Sequence, residues 1–447
     1  MKSQSNPKIE IGQLIDERKL SPLQILIIVM SALIVWLDGY HIQSMSLVVP
    51  TLSKEWSVKT TDFKMVMSSA LFGIMLGSAL IASKGDKWGR RKVLIISMVM
   101  VGLSSIGTGY STSMVHLIIW RFLTGLGLGA SIPNATALTS DYVPAKRRAA
   151  LVTLMFSGIS IGAFTSSFIA PPIVAAWGWK GMFTIGGAVP LIMSLLLAVT
   201  IPESIRLLIE RAPGDPRIPK ILARLAPGID AKNVYAKKQE VKRQSVVELF
   251  SKAYREGTLL LWFVFVVNMF ILYLLVNWLP TLLSTQGWSR SQAMQGTGII
   301  QIGGVTGGFI LSRFVDRGKT VISTISAYAL AGIAFGLFPF LPSSGMSWWI
   351  LLFIVGSGIS GGQFVLNALA AGYYPPMIRS TGVGWAYSVG RIGAVLSGYA
   401  GGVILERNVA PFKVLGLLVI PVVICILGVL MFRNVFQTTP VPSTTAK

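Results

Sequence analysis

The chain has 447 residues, 53% of them hydrophobic and only 13% charged, with a formal net charge of +22. A water-soluble domain carries roughly 25% charged residues, so this chain has too little polar surface to cover a soluble globule. The single cysteine, Cys425, excludes an intrachain disulfide and argues against a metal cluster.

Apolar stretches recur from Leu23 to Phe432, with acids and bases confined mostly to the short gaps between them. A membrane-spanning helix needs roughly 20 apolar residues. Inside a bilayer the backbone must satisfy its own polar groups, which favours helices. The polar segment 1–21 precedes a first helix predicted over 22–48. That stretch carries Asp38 and lacks a small-residue cleavage site, so it reads as a retained helix and not a cleaved signal. Further helices are predicted over 64–83, 93–110, 114–140, 150–176 and 181–201, which makes 22–201 a six-helix bundle. The segment 202–257 breaks the pattern. It is rich in Lys and Arg, holds Pro213, Pro216, Pro219 and Pro227, and reads as a linker with a short surface helix near 234–254. Helices over 258–283, 292–312, 320–341, 347–373, 380–404 and 410–432 then make a second bundle, 258–433. The Thr/Pro-rich tail, 434–447, has the composition of disordered chain. The fold expected is an all-α integral membrane protein of about twelve transmembrane helices in two six-helix bundles.

The bases fall in alternate gaps: Lys2 to Lys19, Lys84 to Lys92, Lys146 to Arg148, the 206–255 region, Arg313 to Lys319, Arg379 and Arg433. The intervening gaps carry none or one, except the first, with Lys54 and Lys59. This is the positive-inside pattern, which places both termini and the linker in the cytoplasm and explains the net charge without nucleic acid. One basic gap, Ala82-Ser83-Lys84-Gly85-Asp86-Lys87-Trp88-Gly89-Arg90-Arg91-Lys92, is echoed at the matching place in the second half by Ser312-Arg313-Phe314-Val315-Asp316-Arg317-Gly318-Lys319. Asp86 with Arg90 and Arg91, and Asp316 with Arg317, are read as ion-pair clasps that hold one conformation. Two similar halves in a bilayer are the usual plan of a secondary transporter, which rocks about a central site. Glycines crowd several helices, as close packing of membrane helices requires.

Ionisable groups inside a membrane are costly and need a reason to be there. Asp38 and His41 are three apart on one helix face. A carboxylate in low dielectric takes up a proton more readily, and histidine titrates near neutrality, so the pair forms a candidate proton site. Arg121, which keeps its proton, and Asp141, followed by Pro144 and a basic run, join the proton-coupling candidates. Asp141 reads as a gate residue at the cytoplasmic end more than as a central one. Arg391, inside a predicted helix, suits a carboxylate substrate because guanidinium grips carboxylate bidentately. Asn134, Tyr273, Asn277, Gln363, Asn367 and Trp385 complete a polar and aromatic set of the kind a small organic anion needs. No phosphate-binding loop of the Gly-x-x-x-x-Gly-Lys-Ser/Thr type is present, which argues against an ATP-driven pump. No arrangement of catalytic residues argues for an enzyme.

The segment Asp86-Lys87-Trp88-Gly89-Arg90-Arg91, Arg121 with its following glycines, and Pro202-Glu203-Ser204 resemble motifs of the major facilitator superfamily. The loop departs in having Ala82 for the usual Gly and Lys87 for the common Arg. More narrowly, several segments resemble the aromatic acid:proton symporter group, whose members include 4-hydroxybenzoate transporters. They are Asp38-Gly39-Tyr40, Pro133-Asn134-Ala135, Asn277-Trp278-Leu279-Pro280, Gly362-Gln363 and Arg379 through Arg391. The resemblance implies proton or substrate roles for Asp38, Asp141 and Arg391. His41 stands where the group typically has a second acid. It could take over proton handling, or favour a more anionic substrate such as an aromatic dicarboxylate. The group often has Glu where Asp141 stands. The expected activity is proton-coupled uptake of an aromatic carboxylate. The expected protein is a monomer in a bacterial inner membrane, driven by the proton gradient, with no cofactor and no metal. An exporter, a carrier of non-aromatic organic anions and a membrane chemoreceptor are the alternatives.

Overall fold

The computed structural model describes residues 9–229, 233–236, 246–342, 345–375, 378–407 and 409–438. Among them are 11 helices long and apolar enough to cross a membrane. The first four are α1 (Pro22–Glu55), α2 (Thr60–Trp88), α3 (Arg90–Gly109) and α4 (Met114–Tyr142). A 56-residue run, Ala145–Thr200, follows. At 1.5 Å per residue it would measure ~84 Å, far beyond a hydrocarbon core of roughly 30 Å. Gly178 breaks it, with φ 64° and ψ −173°, a backbone conformation open essentially to glycine alone. The run is therefore two helices, α5 (145–177) and α6 (179–200), and the break falls in the gap expected at 178–180. Then come α7 (Arg255–Thr285), α8 (Arg290–Val315), α9 (Thr320–Phe340), α10 (Met346–Tyr373), α11 (Thr381–Glu406) and α12 (Pro411–Val435). These twelve stretches are the apolar runs of the sequence.

Glycine-rich faces let helix backbones approach closely. A side-chain carbon at Gly129 of α4 would collide with the Ile74 carbonyl of α2, and one at Gly303 of α8 with that of Phe353 on α10.

By contacts, the chain forms two compact units. One holds the chain through Gly39, Phe72–Gly162 and the stretch from Phe183 into the linker; the other holds Tyr40–Leu71, Ala163–Met182 and the second half. Inside the second unit, polar contacts fasten α1, α2 and α5 residues to second-half helices. Gln43 Nε2 donates to the Val276 carbonyl (3.3 Å), Ser68 Oγ donates to that of Val395 (3.0 Å), and Ser167 and Thr297 share a hydroxyl bond (3.1 Å). Lys64 Nζ meets Glu406 Oε1 at 2.6 Å and lies over the Tyr399 ring.

The linker differs from expectation. Its helices are Ile205–Arg211 and Arg217–Leu225. The surface helix expected near 234–254 is absent among the described residues, where Val234–Tyr235 pairs as a parallel strand with Ile9–Glu10 and Val246–Phe250 is a 3-10 turn; residues 237–245 lie outside the described set. The prolines account for the helix at Arg217–Leu225. Pro216 and Pro219 stand at and just inside the start of the Arg217–Leu225 helix, where a missing N–H costs nothing. Ile218, Ile221, Leu222 and Leu225 then form one buried helical face. Asp215 anchors the same turn. Its carboxylate accepts from the Arg217 guanidinium and backbone N–H, which holds its pKa down at about 2. The last helix reaches Thr438, beyond the 433 boundary expected, and 439–447 lie outside the described residues.

Candidate functional site

At the α2–α3 loop, Gly89 turns the chain with φ 103°, and a side chain there would also strike the Glu203 carboxylate. Glu203 Oε1 accepts the backbone N–H of Arg90 (2.9 Å) and Arg91 (3.2 Å). A carboxylate thus sits on the N-terminus of α3, where unpaired donors and the helix dipole favour an anion. The Arg90 side chain binds the Asp141 carboxylate, donates to the Ala137 carbonyl (3.1 Å), and reaches Asp86 at 3.4 Å. Ser204 Oγ donates to the same Asp141 oxygen, and Tyr142 OH donates to the Glu203 carbonyl (2.6 Å). Arg91 donates to the carbonyls of Leu197 and Ala198 at the end of α6. The loop, the end of α4 and the segment after α6 therefore form one cluster. The structure joins Asp141 to Arg90 and Ser204, at this cluster.

Asn134, seven residues before Asp141 on α4, belongs to the same neighbourhood. Its Nδ2 donates to the Ala82 carbonyl (3.2 Å), and Gly85 packs on its side-chain oxygen. It holds the loop against α4. Asp38 is fully buried on α1 and accepts a hydrogen bond from Ser131 Oγ of α4 at 2.7 Å. His41, one turn on, is also fully buried. Arg121 is buried near the other end of α4, with its guanidinium 5.9 Å from the centroid of the Phe183 ring.

In the second half, three carboxamides form a chain. Asn268 Nδ2 of α7 donates to Gln363 Oε1 of α10 (2.7 Å), and Gln363 Nε2 donates to Asn367 Oδ1 (3.1 Å). Asn268 is fully buried, whereas Asn367 is part-exposed. Its outward end, the Asn367 amide nitrogen, is a donor, which suits an oxygen-bearing ligand. Arg391 lies with its guanidinium 5.6 Å from the Tyr387 ring centroid on the same face of α11, and Tyr273 of α7 lies within electrostatic reach of both. Asn277 is buried, and its Nδ2 finds no hydrogen-bond partner among the described residues. A buried donor in that state calls for an explanation, and a ligand is one. Trp385 is 42% exposed and stacks on Trp262, so it stands outside this buried polar set.

The second-half echo behaves differently. Asp316 caps the C-terminus of α8 through its backbone, and Asp316 and Arg317 are both exposed. Neither makes an ion pair among the described residues.

Sequence reasoning passed over Ser131, Asn268 and Gln43, and gave no role to Glu203. Glu203 had a signal, a lone acid just past a helix end beside a basic loop. Asn268 had one too, an amide nine residues before Asn277 in the same apolar run. Ser131 had none, because a serine in a membrane helix more often bonds its own backbone.

The model of the Major Facilitator Superfamily matches residues 26–398. The chain is 36% identical over 423 residues to the 4-hydroxybenzoate transporter PcaK of Acinetobacter baylyi, covering 92% of each chain. It is 33% identical over 414 residues to a gallate transporter of Pseudomonas putida, again covering 92% of each. It is 32% identical to a benzoate transport protein of Acinetobacter baylyi, covering 97% of this chain and 95% of that one. Among solved structures it superposes on the inward open xylose transporter XylE from E. coli with a TM-score of 0.71 at 17% identity, covering 95% of this chain and 98% of the other.

Proposed function

The chain belongs to the major facilitator superfamily, and from that premise we propose that it takes up an aromatic carboxylate together with protons by alternating access between two six-helix halves. Its full-length relatives are named for 4-hydroxybenzoate, gallate and benzoate, all small aromatic acids. The substrate set lies in the second half. Arg391 grips the carboxylate bidentately. The Asn268–Gln363–Asn367 chain and Asn277 offer amide donors to oxygens on the ring or the carboxylate.

The observation that carries proton coupling is Asp38. It is buried from water within a membrane-length helix, and it accepts a hydrogen bond from Ser131 Oγ of α4. An ionisable group at this depth is costly and marks a functional position, so Asp38 is the group that loads a proton from the acidic side and releases it when its access changes. Membrane potential contributes roughly 2.3 kcal/mol per net charge per 100 mV. A monoanion with one proton moves no net charge and draws on the pH gradient alone; a second proton adds the potential. His41 is the group placed to carry that second proton or to meet a second carboxylate. The polar contacts that fasten α1, α2 and α5 residues to the second half are then ones that part in one of the two access states.

The test is uptake of radiolabelled benzoate-type mono- and dicarboxylates into proteoliposomes under an inward proton gradient. Asp38→Asn keeps the shape and removes the titrating group. The expected result is loss of gradient-driven accumulation by at least about tenfold, with gradient-free substrate exchange retained. Accumulation by Asp38→Asn at the wild-type level sinks the coupling role, and no uptake of any aromatic acid by wild type sinks the substrate class. His41→Asp, compared across the same panel, decides what His41 does: a shift toward monocarboxylates assigns it to substrate charge, and an unchanged preference with altered pH dependence assigns it to the proton.

A further inference from the structure

The two halves bring the same three elements together at one end: a helix–loop–helix, the end of the fourth helix and the end of the sixth. In the first half, protein acids fill the space between them. Glu203, after α6, covers the N-terminus of α3, and Asp141, three residues before Pro144, meets Arg90. In the second half both acids are missing. Gly372 stands three residues before Pro375, and α12 brings Arg433. A groove of about 430 Å³ occupies the place. Lys319 and Arg433 line it, with the first turn of α9 (Thr320, Val321, Ile322) and the apolar flank of α10 at Ala368 and the buried Leu369. Among the described residues no acid lines it, and Lys319 at the start of α9 makes no side-chain cap. The groove also opens to the apolar surroundings of the bundle, since Ile322 is 63% exposed.

We propose that this groove binds an anionic phospholipid. The headgroup phosphate takes the place that Glu203 and Asp141 fill in the first half, between Lys319, Arg433 and the uncapped N–H groups of α9, and an acyl chain lies along Ile322 and Ala368. Charge complementarity selects an anion. The apolar wall at the end of membrane-length helices selects a lipid over a soluble one. Basic pockets between membrane helices are general sites for such headgroups, and each base near an anionic surface contributes roughly 1 kcal/mol.

The experiment is native mass spectrometry of the full chain in detergent, titrated with phosphatidylglycerol and with phosphatidylcholine. The variants are Lys319→Gln with Arg433→Gln, a control pair of bases at other gaps, Lys180→Gln with Arg290→Gln, and Gly372→Phe. A carbon added at Gly372 meets open space, so phenylalanine fills the groove while both bases stay; it tests the site even if the charge variant folds poorly. Wild type should bind phosphatidylglycerol about tenfold more tightly than phosphatidylcholine. The groove variants should lose that preference, and the control pair should keep it. Retained preference in both groove variants overturns the proposal, as does equal loss in the control. Full displacement of the lipid by excess inorganic phosphate overturns it in favour of a soluble anion.

Discussion

The loop between α2 and α3 and the loop between α8 and α9 share a motif and differ in everything around it. In the first, Arg90 is bound by Asp141 and Asp86, and Glu203 caps the helix that Arg90 begins. In the second, Asp316 and Arg317 are exposed and form no ion pair among the described residues. The difference does not lie in the loops. It lies in the ends of the fourth and sixth helices, which supply two acids in one half and a glycine and a base in the other. A loop motif of this kind makes a clasp only where distant helix ends deliver its partners.

The strongest way to break the contrast is to remove the acid that Arg90 holds. Asp141→Ala leaves a largely buried guanidinium with only the exposed Asp86, at 3.4 Å, as counter-charge, and breaking such a buried pair costs about 3 kcal/mol. The melting temperature in detergent should fall by several degrees, and transport should slow as the closed loop loosens. A shift no larger than that of a surface substitution would show that the pair contributes nothing to stability.

Glu203→Gln is the next step. It keeps a hydrogen-bond acceptor and removes the charge on the N-terminus of α3, at a cost of about 1 kcal/mol. Thermal unfolding should show a drop smaller than that of Asp141→Ala. Because Glu203, Ser204 and Asp141 share one network, the double variant should lose less than the sum of the two single losses.

These two residues also mark how far the sequence could be read. The twelve spans followed from long apolar runs, and the Gly178 break from a polar gap, because burial in lipid imposes a simple pattern on the chain. The loop residues and the intramembrane Asp38, Gln363 and Asn367 stood out because polar groups are costly there. What could not be read was pairing across distance. Glu203 meets Arg90 across 113 positions, and Ser131 meets Asp38 across 93; neither spacing has a periodic signature. Asp141 could be read either as a proton site or as a gate residue, and only its packing against Ser204 and Arg90 tells which residues it serves. The linker prolines misled for a related reason. Their effect depends on whether they fall at a helix start or in its interior, and that depends on the packing of Ile218 to Leu225.

Gly372→Asp sharpens the contrast in the opposite direction, by giving α10 the acid that α4 already has. The added carbon meets open space, and the carboxylate enters a groove lined by Lys319 and Arg433. A partly exposed pair of this kind contributes about 0.5 kcal/mol. The expected outcome is a melting temperature raised by a degree or two in phosphatidylcholine and a weakened response to phosphatidylglycerol, since a protein acid then competes for the same cations. Destabilisation in phosphatidylcholine would mean that the groove does not accept a carboxylate, and the parallel between the halves would fail.

The smallest effect belongs to the echo itself. Asp316→Ala and Arg317→Ala remove charges that point to solvent and hold no partner among the described residues. Substitutions of that kind stay within about 0.5 kcal/mol. Asp316 caps α8 through its backbone N–H, which bonds to Ser312 and Phe314, and alanine keeps that bond. Both variants should therefore melt with wild type and transport at its rate, while Asp86→Ala in the first half loses a modest amount through its 3.4 Å contact with Arg90. A transport defect from Asp316→Ala with unchanged stability would be the informative surprise. It would mean that the second loop finds its partner only in another conformation of the cycle, and that the two loops work alternately and not as one clasp and one vestige.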